Sequence, residues 1–156
     1  MQIWVDADAC PVVVKEILFK AAERLKVSLT LVANQHIRVP ASQVIRSVQV
    51  PSGFDVADNW IAEQVQNKDL VITADVPLAA AVVAKGAFAL NPRGEFYTPD
   101  TISNRLTMRN LMTELRETGQ IQSYTAGYSA KDKQNFANQL DRFLARYVKT
   151  KTSVEK

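Results

Sequence analysis

Short apolar runs alternate with longer segments of helical period along the first ninety residues of the chain. The apolar runs are Gln2–Val5, Val27–Ala33, Arg46–Val50, Leu70–Thr73 and Ala87–Leu90. Helical period is found in Pro11–Leu25, Phe54–Val65 and Val76–Lys85. Such alternation is typical of βαβ units. We therefore predict a three-layer α/β/α fold, with a mainly parallel sheet of about five strands covered by helices on both faces.

The pattern changes at the turn-forming sequence Asn91-Pro92-Arg93-Gly94. Beyond it we expect a helix over Thr101–Thr118 and a last helix over Lys131–Tyr147, whose apolar residues recur at helical spacing. The remaining residues have nothing to bury. We predict a single domain over residues 1–148, followed by a disordered basic tail at 149–156.

Composition limits the class of protein and the chemistry it can perform. The 156 residues are 47% hydrophobic and 22% charged, which is an ordinary globular mixture. No window approaches the ~20 apolar residues of a membrane span, and the acidic start MQIWVDADACP is unlike a secretory signal, so we expect a cytoplasmic protein without a membrane partner. Cys10 and His36 are the only residues of their kinds. Any chemistry is therefore expected to depend mainly on carboxylates.

The net charge of +3 is unevenly distributed. Residues 1–104 contain 9 basic and 11 acidic side chains, whereas residues 105–156 contain 10 and 5. This asymmetry favours a nucleic acid or another acidic surface as the partner. A charged, solvated helix is the alternative explanation.

Several aspartates follow directly after the apolar runs. In a parallel α/β sheet, ligands bind beyond the carboxyl ends of the strands, where the strand order reverses. Asp6 ends the first run, Asp8 lies two residues later, and Asp75 follows the fourth run. If those two runs are neighbours, Asp6 and Asp75 are separated by about one strand spacing of ~5 Å. Carboxylates that close together either raise a pKa or recruit a cation.

The helix after the third run carries two further acids, Asp55 and Asp58. Asp58 falls near the middle of the apolar face, and Asp55 lies one turn earlier on its rim. A carboxylate on a buried face needs a counter-charge, which a metal ion would supply. Together the acids predict an oxygen-ligand site for Mg²⁺ or Mn²⁺.

Three of these acids also have a structural interpretation. Asp8 could cap the helix that follows Pro11, and Asp75 could cap the helix Val76–Lys85. Asp55 could interact with the dipole of its own helix.

The segments that carry these acids resemble the YaiI/YqxD family of uncharacterised bacterial proteins over roughly residues 1–118. The matching segments are Val5-Asp6-Ala7-Asp8-Ala9-Cys10-Pro11, Val32-Ala33-Asn34, Gly53-Phe54-Asp55-Val56-Ala57-Asp58-Asn59-Trp60-Ile61, Ile72-Thr73-Ala74-Asp75-Val76-Pro77-Leu78-Ala79 and Asn91-Pro92-Arg93-Gly94. The family is in turn similar to PIN-like domains, which include many metal-dependent ribonucleases.

This resemblance implies a PIN-like fold and a metal-dependent nuclease, with RNA as the expected substrate. It implies catalytic roles for Asp6, Asp58 and Asp75, with Mg²⁺ or Mn²⁺ as the cofactor. Many PIN nucleases have a further acid beyond the position of Asp75, and no acid of this sequence is matched to that place. Asp8 or Asp55 would then complete the metal site.

A nuclease also needs groups that hold the neighbouring phosphates. Arg93 in the predicted turn is the cation we favour for this role. Arg105 and Arg109 are spaced (i, i+4) on the predicted helix, where a solvated face is the alternative. The full set of candidate nucleic-acid contacts is Asn34, Arg38, Thr73, Asn91, Arg93, Arg105 and Arg109.

Two other functions agree with the same residues. Asp6-Ala7-Asp8 and Thr73 resemble the first two motifs of haloacid-dehalogenase phosphatases, in which Lys85 would be the required lysine. Alternatively, the metal site is vestigial or structural, and the protein only binds RNA or another partner. A homodimer is a further alternative, if the apolar positions of the last helix pack against a second copy. Those positions are Phe136, Leu140, Phe143 and Leu144.

Overall fold

The computed structural model describes residues 1–53, 56–104 and 128–155, with backbone alone from residue 148 onward. The strands are β1 (Gln2–Asp6), β2 (Ser28–Ala33), β3 (Ile45–Gln49), β4 (Leu70–Ile72) and β5 (Phe88–Leu90). The helices are α1 (Val12–Leu25), α2 (Val56–Gln64), α3 (Val76–Ala84), α4 (described over residues 99–104) and α5 (Ala130–Glu155).

The five strands form one parallel sheet in the order β3-β2-β1-β4-β5. This arrangement confirms the predicted three-layer fold. Val5 of β1 is paired with Leu31 of β2 on one side and with Ile72 of β4 on the other. The strand order therefore reverses at β1, and the crevice between β1 and β4 is the place where this class of fold binds ligands.

Two apolar cores cover the two faces of the sheet. On one face, α1 and α5 bury Leu18, Phe136, Leu140 and Leu144. On the other, α2 and α3 pack over Trp4 and its neighbours, and the rings of Trp4 and Trp60 meet edge to face at 5.7 Å. The apolar positions of α5 are thus buried within this chain, so Phe136, Leu140 and Leu144 offer no surface to a second copy.

A buried carboxylate, Asp69, joins the starts of β1 and β4. It accepts hydrogen bonds from the backbone N–H of Gln2 at 3.0 Å, the indole Nε1 of Trp4 at 3.1 Å and the backbone N–H of Gln66 at 3.0 Å. These three N–H donors satisfy the hydrogen-bonding needs of the Asp69 carboxylate, so it does not require a cation. These contacts hold β1 beside β4. The crevice at the carboxyl ends of these two strands depends on that arrangement.

The predicted turn at residues 91–94 holds α5 against the sheet. The buried amide oxygen of Asn91 accepts hydrogen bonds from the backbone N–H groups of Arg93 and Glu95. Gly94, at φ +92°, lies so close to α5 that a Cβ would come within 2.6 Å of the Asn135 carbonyl carbon. Only glycine fits such a position.

Helix α5 continues to Glu155, beyond the predicted end at Tyr147, and the disorder of the tail at 149–156 stays a prediction. Extending an existing helix adds one hydrogen bond per residue, and so it does not need the apolar contacts that the sequence argument required. Among the described residues, no helix is both long and apolar enough to cross a membrane.

Candidate functional site

An open cleft of about 370 Å³ lies at the carboxyl ends of β1 and β2, beside the start of α2. It occupies the point where the strand order reverses. Four of the predicted acids contribute to its surface. The lining residues are Asp6, Asp8, Asn34, Gly53, Val56, Ala57, Asp58, Ala74 and Asp75.

Asp6 is the most buried acid of the cleft, with 7% of its surface exposed. It ends β1, and the pairing of Val5 with Ile72 places Thr73 directly opposite. The Thr73 hydroxyl donates a hydrogen bond to Asp6 Oδ2 at 3.2 Å and accepts one from the backbone N–H of Asp75 at 2.9 Å. Thr73 therefore links the two strand tips and orients the Asp6 carboxylate.

Asp58 belongs to the first turn of α2 and lines the cleft together with Asp6. Burial raises the pKa of Asp6 above its ordinary value, and the nearby charges of Asp75 and Asp8 raise it further. The hydrogen bonds with Thr73 and Asp58 act in the opposite direction. Carboxylates gathered in one cleft repel one another, and this repulsion either raises a pKa or favours the binding of a cation.

Asp8 and Asp75 are held by backbone donors at the rim of the cleft. Asp8 Oδ2 accepts a hydrogen bond from the backbone N–H of Asn34 at 2.8 Å. It does not cap α1, whose N-cap is Pro11 without a side-chain bond, so that structural interpretation is wrong. Asp75 Oδ1 accepts from the backbone N–H of Leu78 at 2.8 Å, which confirms it as the N-cap of α3.

The candidate nucleic-acid contacts are divided between several places. Asn34 lines the cleft, and Thr73 lies beneath it on Asp6. Arg38 is exposed in the loop after β2 and is not among the lining residues. Asn91 is buried in its turn, and the guanidinium of Arg93 pairs with Asp132 at 2.7 Å. Asp55, Arg105 and Arg109 lie outside the described residues.

Two other reactive side chains, those of Cys10 and Lys85, are not among the residues that line the cleft. Cys10 is buried, and desolvation raises the pKa of its thiol to about 12, so its role is packing. The ammonium of Lys85 donates to the carbonyl groups of Ala62, Glu63 and Val65 at the end of α2. Lys85 is absent from the cleft lining, where the phosphatase alternative requires a lysine.

The residues of the cleft fit a hard divalent cation. Among its described lining residues there are four carboxylates and no Lys, Arg or His. In the described ranges, no three His, Cys, Asp or Glu side chains already form a ready-made metal site. Mg²⁺ commonly keeps several waters and is bound through one or two carboxylates, so the Asp6 and Asp58 pair suits it.

Gly53 and Ala74 also line the cleft, although the sequence argument gave them no role. Gly53 has φ +153°, and a Cβ there would approach Val56 Cγ2 to 2.9 Å. A glycine just before a helix was the available signal for a close backbone approach.

The strand order and the acidic crevice define a doubly wound α/β domain with a carboxylate cleft at its switch point. Within this class, the chain belongs to the YaiI/YqxD family of uncharacterised proteins, whose family description matches residues 4–146.

The relatives extend over nearly the whole chain. The UPF0178 protein of Herminiimonas arsenicoxydans is 62% identical over 146 residues, which are 94% of this chain and 98% of that protein. The UPF0178 protein of Shewanella amazonensis is 60% identical over 149 residues, which are 96% of this chain and all of that protein. No solved structure matches the chain significantly.

Proposed function

We propose that the protein is a divalent-metal-dependent phosphodiesterase that hydrolyses nucleic acid, with RNA as the substrate, in the manner of PIN-like nucleases. One observation carries the proposal: the carboxylates of Asp6, Asp8, Asp58 and Asp75 line one cleft, and no Lys, Arg or His is among its described lining residues. Burial, and then the charges of Asp75 and Asp8, raise the pKa of Asp6, and a bound cation would offset that repulsion between the acids. A phosphate could then approach an otherwise repulsive surface.

Each acid has a distinct task in this proposal. Asp6 and Asp58 bind the metal, and Thr73 orients Asp6 through its hydroxyl. Asp75 and Asp8 are fixed by backbone donors and add negative charge around the ion. When bound, Mg²⁺ or Mn²⁺ supplies charge that offsets the phosphate and makes a coordinated water more acidic. The Asn34 side chain lines the cleft where a nucleotide would be in reach.

The test is cleavage of a labelled single-stranded RNA with Mn²⁺ by the wild type and by Asp6→Asn. Losing a metal ligand removes several kcal/mol of transition-state stabilisation, so we expect the rate to fall by more than about 100-fold. Asp100→Asn is the matched control, because Asp100 is exposed in α4 and outside the cleft. Equal activity of wild type and Asp6→Asn, or full activity in EDTA, would falsify the proposal.

A second candidate is binding of RNA without cleavage, because Arg93, which was expected to hold a phosphate during cleavage, is paired with Asp132. No cation is among the described lining residues to hold a phosphate beside the acids. This candidate predicts RNA binding with a steep salt dependence and no cleavage at any Mn²⁺ concentration.

A further inference from the structure

A second and larger depression runs along the edge strand β5, between that strand and α5. We call it the β5 groove, and its volume is about 850 Å³. Its apolar floor contains Phe88, Phe96 and Phe143, whose rings contact one another with centroid distances of 5.1 and 5.7 Å about Phe143. Phe88 remains 44% exposed, although it is a large apolar residue in a strand.

Three basic side chains line the rim of this groove, those of Lys68, Arg142 and Arg146. Arg142 and Arg146 are exposed on successive turns of α5, and Lys68 precedes β4. Within the described part of the chain, no Asp or Glu lines the groove. The acid next to Arg142, Asp141, is instead paired with Arg24 of α1 at 3.1 Å. The rim therefore has an uncompensated positive charge.

The β5 groove is separate from the acidic cleft. Lys68 and Phe88 lie at the amino ends of β4 and β5, whereas Asp6 and Thr73 lie at the carboxyl ends of β1 and β4. The length of the five-residue strand β1 separates the two ends by about 17 Å. This distance exceeds the screening length of about 8 Å at physiological salt, so the aspartates do not repel an anion in the groove.

We propose that the β5 groove binds a free amphipathic carboxylate, with its apolar chain on the three phenylalanines and its carboxylate on Arg142 and Arg146. The volume is in the range of small-molecule sites, which are mostly apolar with a few polar groups that orient the ligand. Arginine is well suited to a carboxylate because its N–H groups form paired hydrogen bonds. The inference does not depend on the proposed nuclease function.

The shape and lining favour this ligand over a nucleic-acid strand. Single-stranded nucleic acid needs exposed aromatic faces on which successive bases stack. Here Phe88 and Phe143 meet with their ring planes at 68°, so the two rings do not form one continuous stacking platform.

Isothermal titration calorimetry of the intact protein with decanoate, below its micelle concentration, tests this site. We expect saturable binding by decanoate and none by decyltrimethylammonium, which has an equal chain and the opposite charge. The double variant Arg142→Gln/Arg146→Gln is expected to weaken binding by about tenfold, the effect of losing two exposed ion pairs. Lys131→Gln/Lys133→Gln removes the same charge from exposed positions of α5 outside the groove, and should leave binding unchanged.

A second variant tests the apolar floor. Phe88→Glu places a negative charge in the groove at a partly exposed position and should abolish decanoate binding, while a cooperative thermal unfolding transition shows that the variant is folded. The proposal is overturned if decanoate does not bind, or if both double variants weaken binding equally. Displacement of bound decanoate by a ten-nucleotide oligouridine, lost in Arg142→Gln/Arg146→Gln, would also overturn it and assign the groove to nucleic acid.

Discussion

Asp6 is buried and lies close to other negatively charged carboxylates. A carboxylate that is 7% exposed and close to Asp8, Asp58 and Asp75 is unfavourable for the stability of the protein alone. Asp69 provides the contrast, because three N–H donors satisfy its carboxylate. Asp69 therefore supports the fold, whereas the surroundings of Asp6 suit interaction with a cation.

The raised pKa of Asp6 predicts how stability depends on pH. Because the folded protein holds this proton more tightly than the unfolded chain, stability falls as pH rises from the ordinary range of an aspartate through the raised pKa. Asp6→Asn removes that penalty and keeps a partner for Thr73. In EDTA we expect it to increase the unfolding free energy by roughly 1 kcal/mol at about pH 7, and to have little effect at about pH 3.

Urea denaturation at both pH values measures this difference, with Asp100→Asn as the exposed control. A loss of stability in Asp6→Asn at neutral pH would mean that the carboxylate is stabilised by its surroundings, contrary to this account.

At the residue scale, the sequence predicted which acids lie together in the cleft. It did not predict the partners of the other polar side chains. Asp6 and Asp75 could be placed together because both follow strands, and Asp58 because of its helical phase. Asn91 and Arg93 were expected to bind nucleic acid, yet the first holds its own turn and the second pairs with Asp132. Asp132 is far away in the sequence, so this pairing depends on tertiary packing that residue spacing does not encode.

At the scale of elements, the turn at residues 91–94 contacts the first turns of α5. Gly94 approaches the backbone of Asn135, and the Tyr128 hydroxyl donates to the Pro92 carbonyl at 2.7 Å. The apolar positions of α5 then cover α1 and the sheet. Hydrophobic periodicity predicted this helix and its buried face, whereas its close contact with the turn could be recognised only from the fold.

Gly94→Ala should therefore weaken the attachment of α5. Gly94 and Gly86 both have positive φ, at +92° and +83°. A Cβ at Gly94 meets backbone atoms of Asn135 and Phe136, but a Cβ at Gly86 meets only the side chain of Asn67, which can move. We expect Gly86→Ala to cost about 1 kcal/mol of unfolding free energy and Gly94→Ala at least about 3 kcal/mol.

Urea denaturation of the two alanine variants compares these costs directly. Equal losses would show that backbone strain alone matters, and that the contact between the turn and α5 contributes little.

At the scale of the whole molecule, opposite charges are gathered at the two ends of one parallel sheet. The carboxyl ends of the strands carry the acidic cleft, and the amino ends carry the cationic rim of the β5 groove. The charge asymmetry along the sequence indicated an anionic partner, but Arg142 and Arg146 do not line the cleft. The distribution of basic residues along the chain therefore predicted an anionic partner. It did not predict where those basic residues lie relative to the acids.

The central claim is that the fold assembles Asp6 and Asp58 into a site for a divalent cation. Anomalous scattering from crystals soaked in Mn²⁺ tests it most directly. The account predicts an anomalous peak in the cleft beside Asp6 and Asp58, which disappears in crystals of Asp6→Asn that retain the same fold. Crystals saturated with Mn²⁺ that show no peak in this cleft would contradict it.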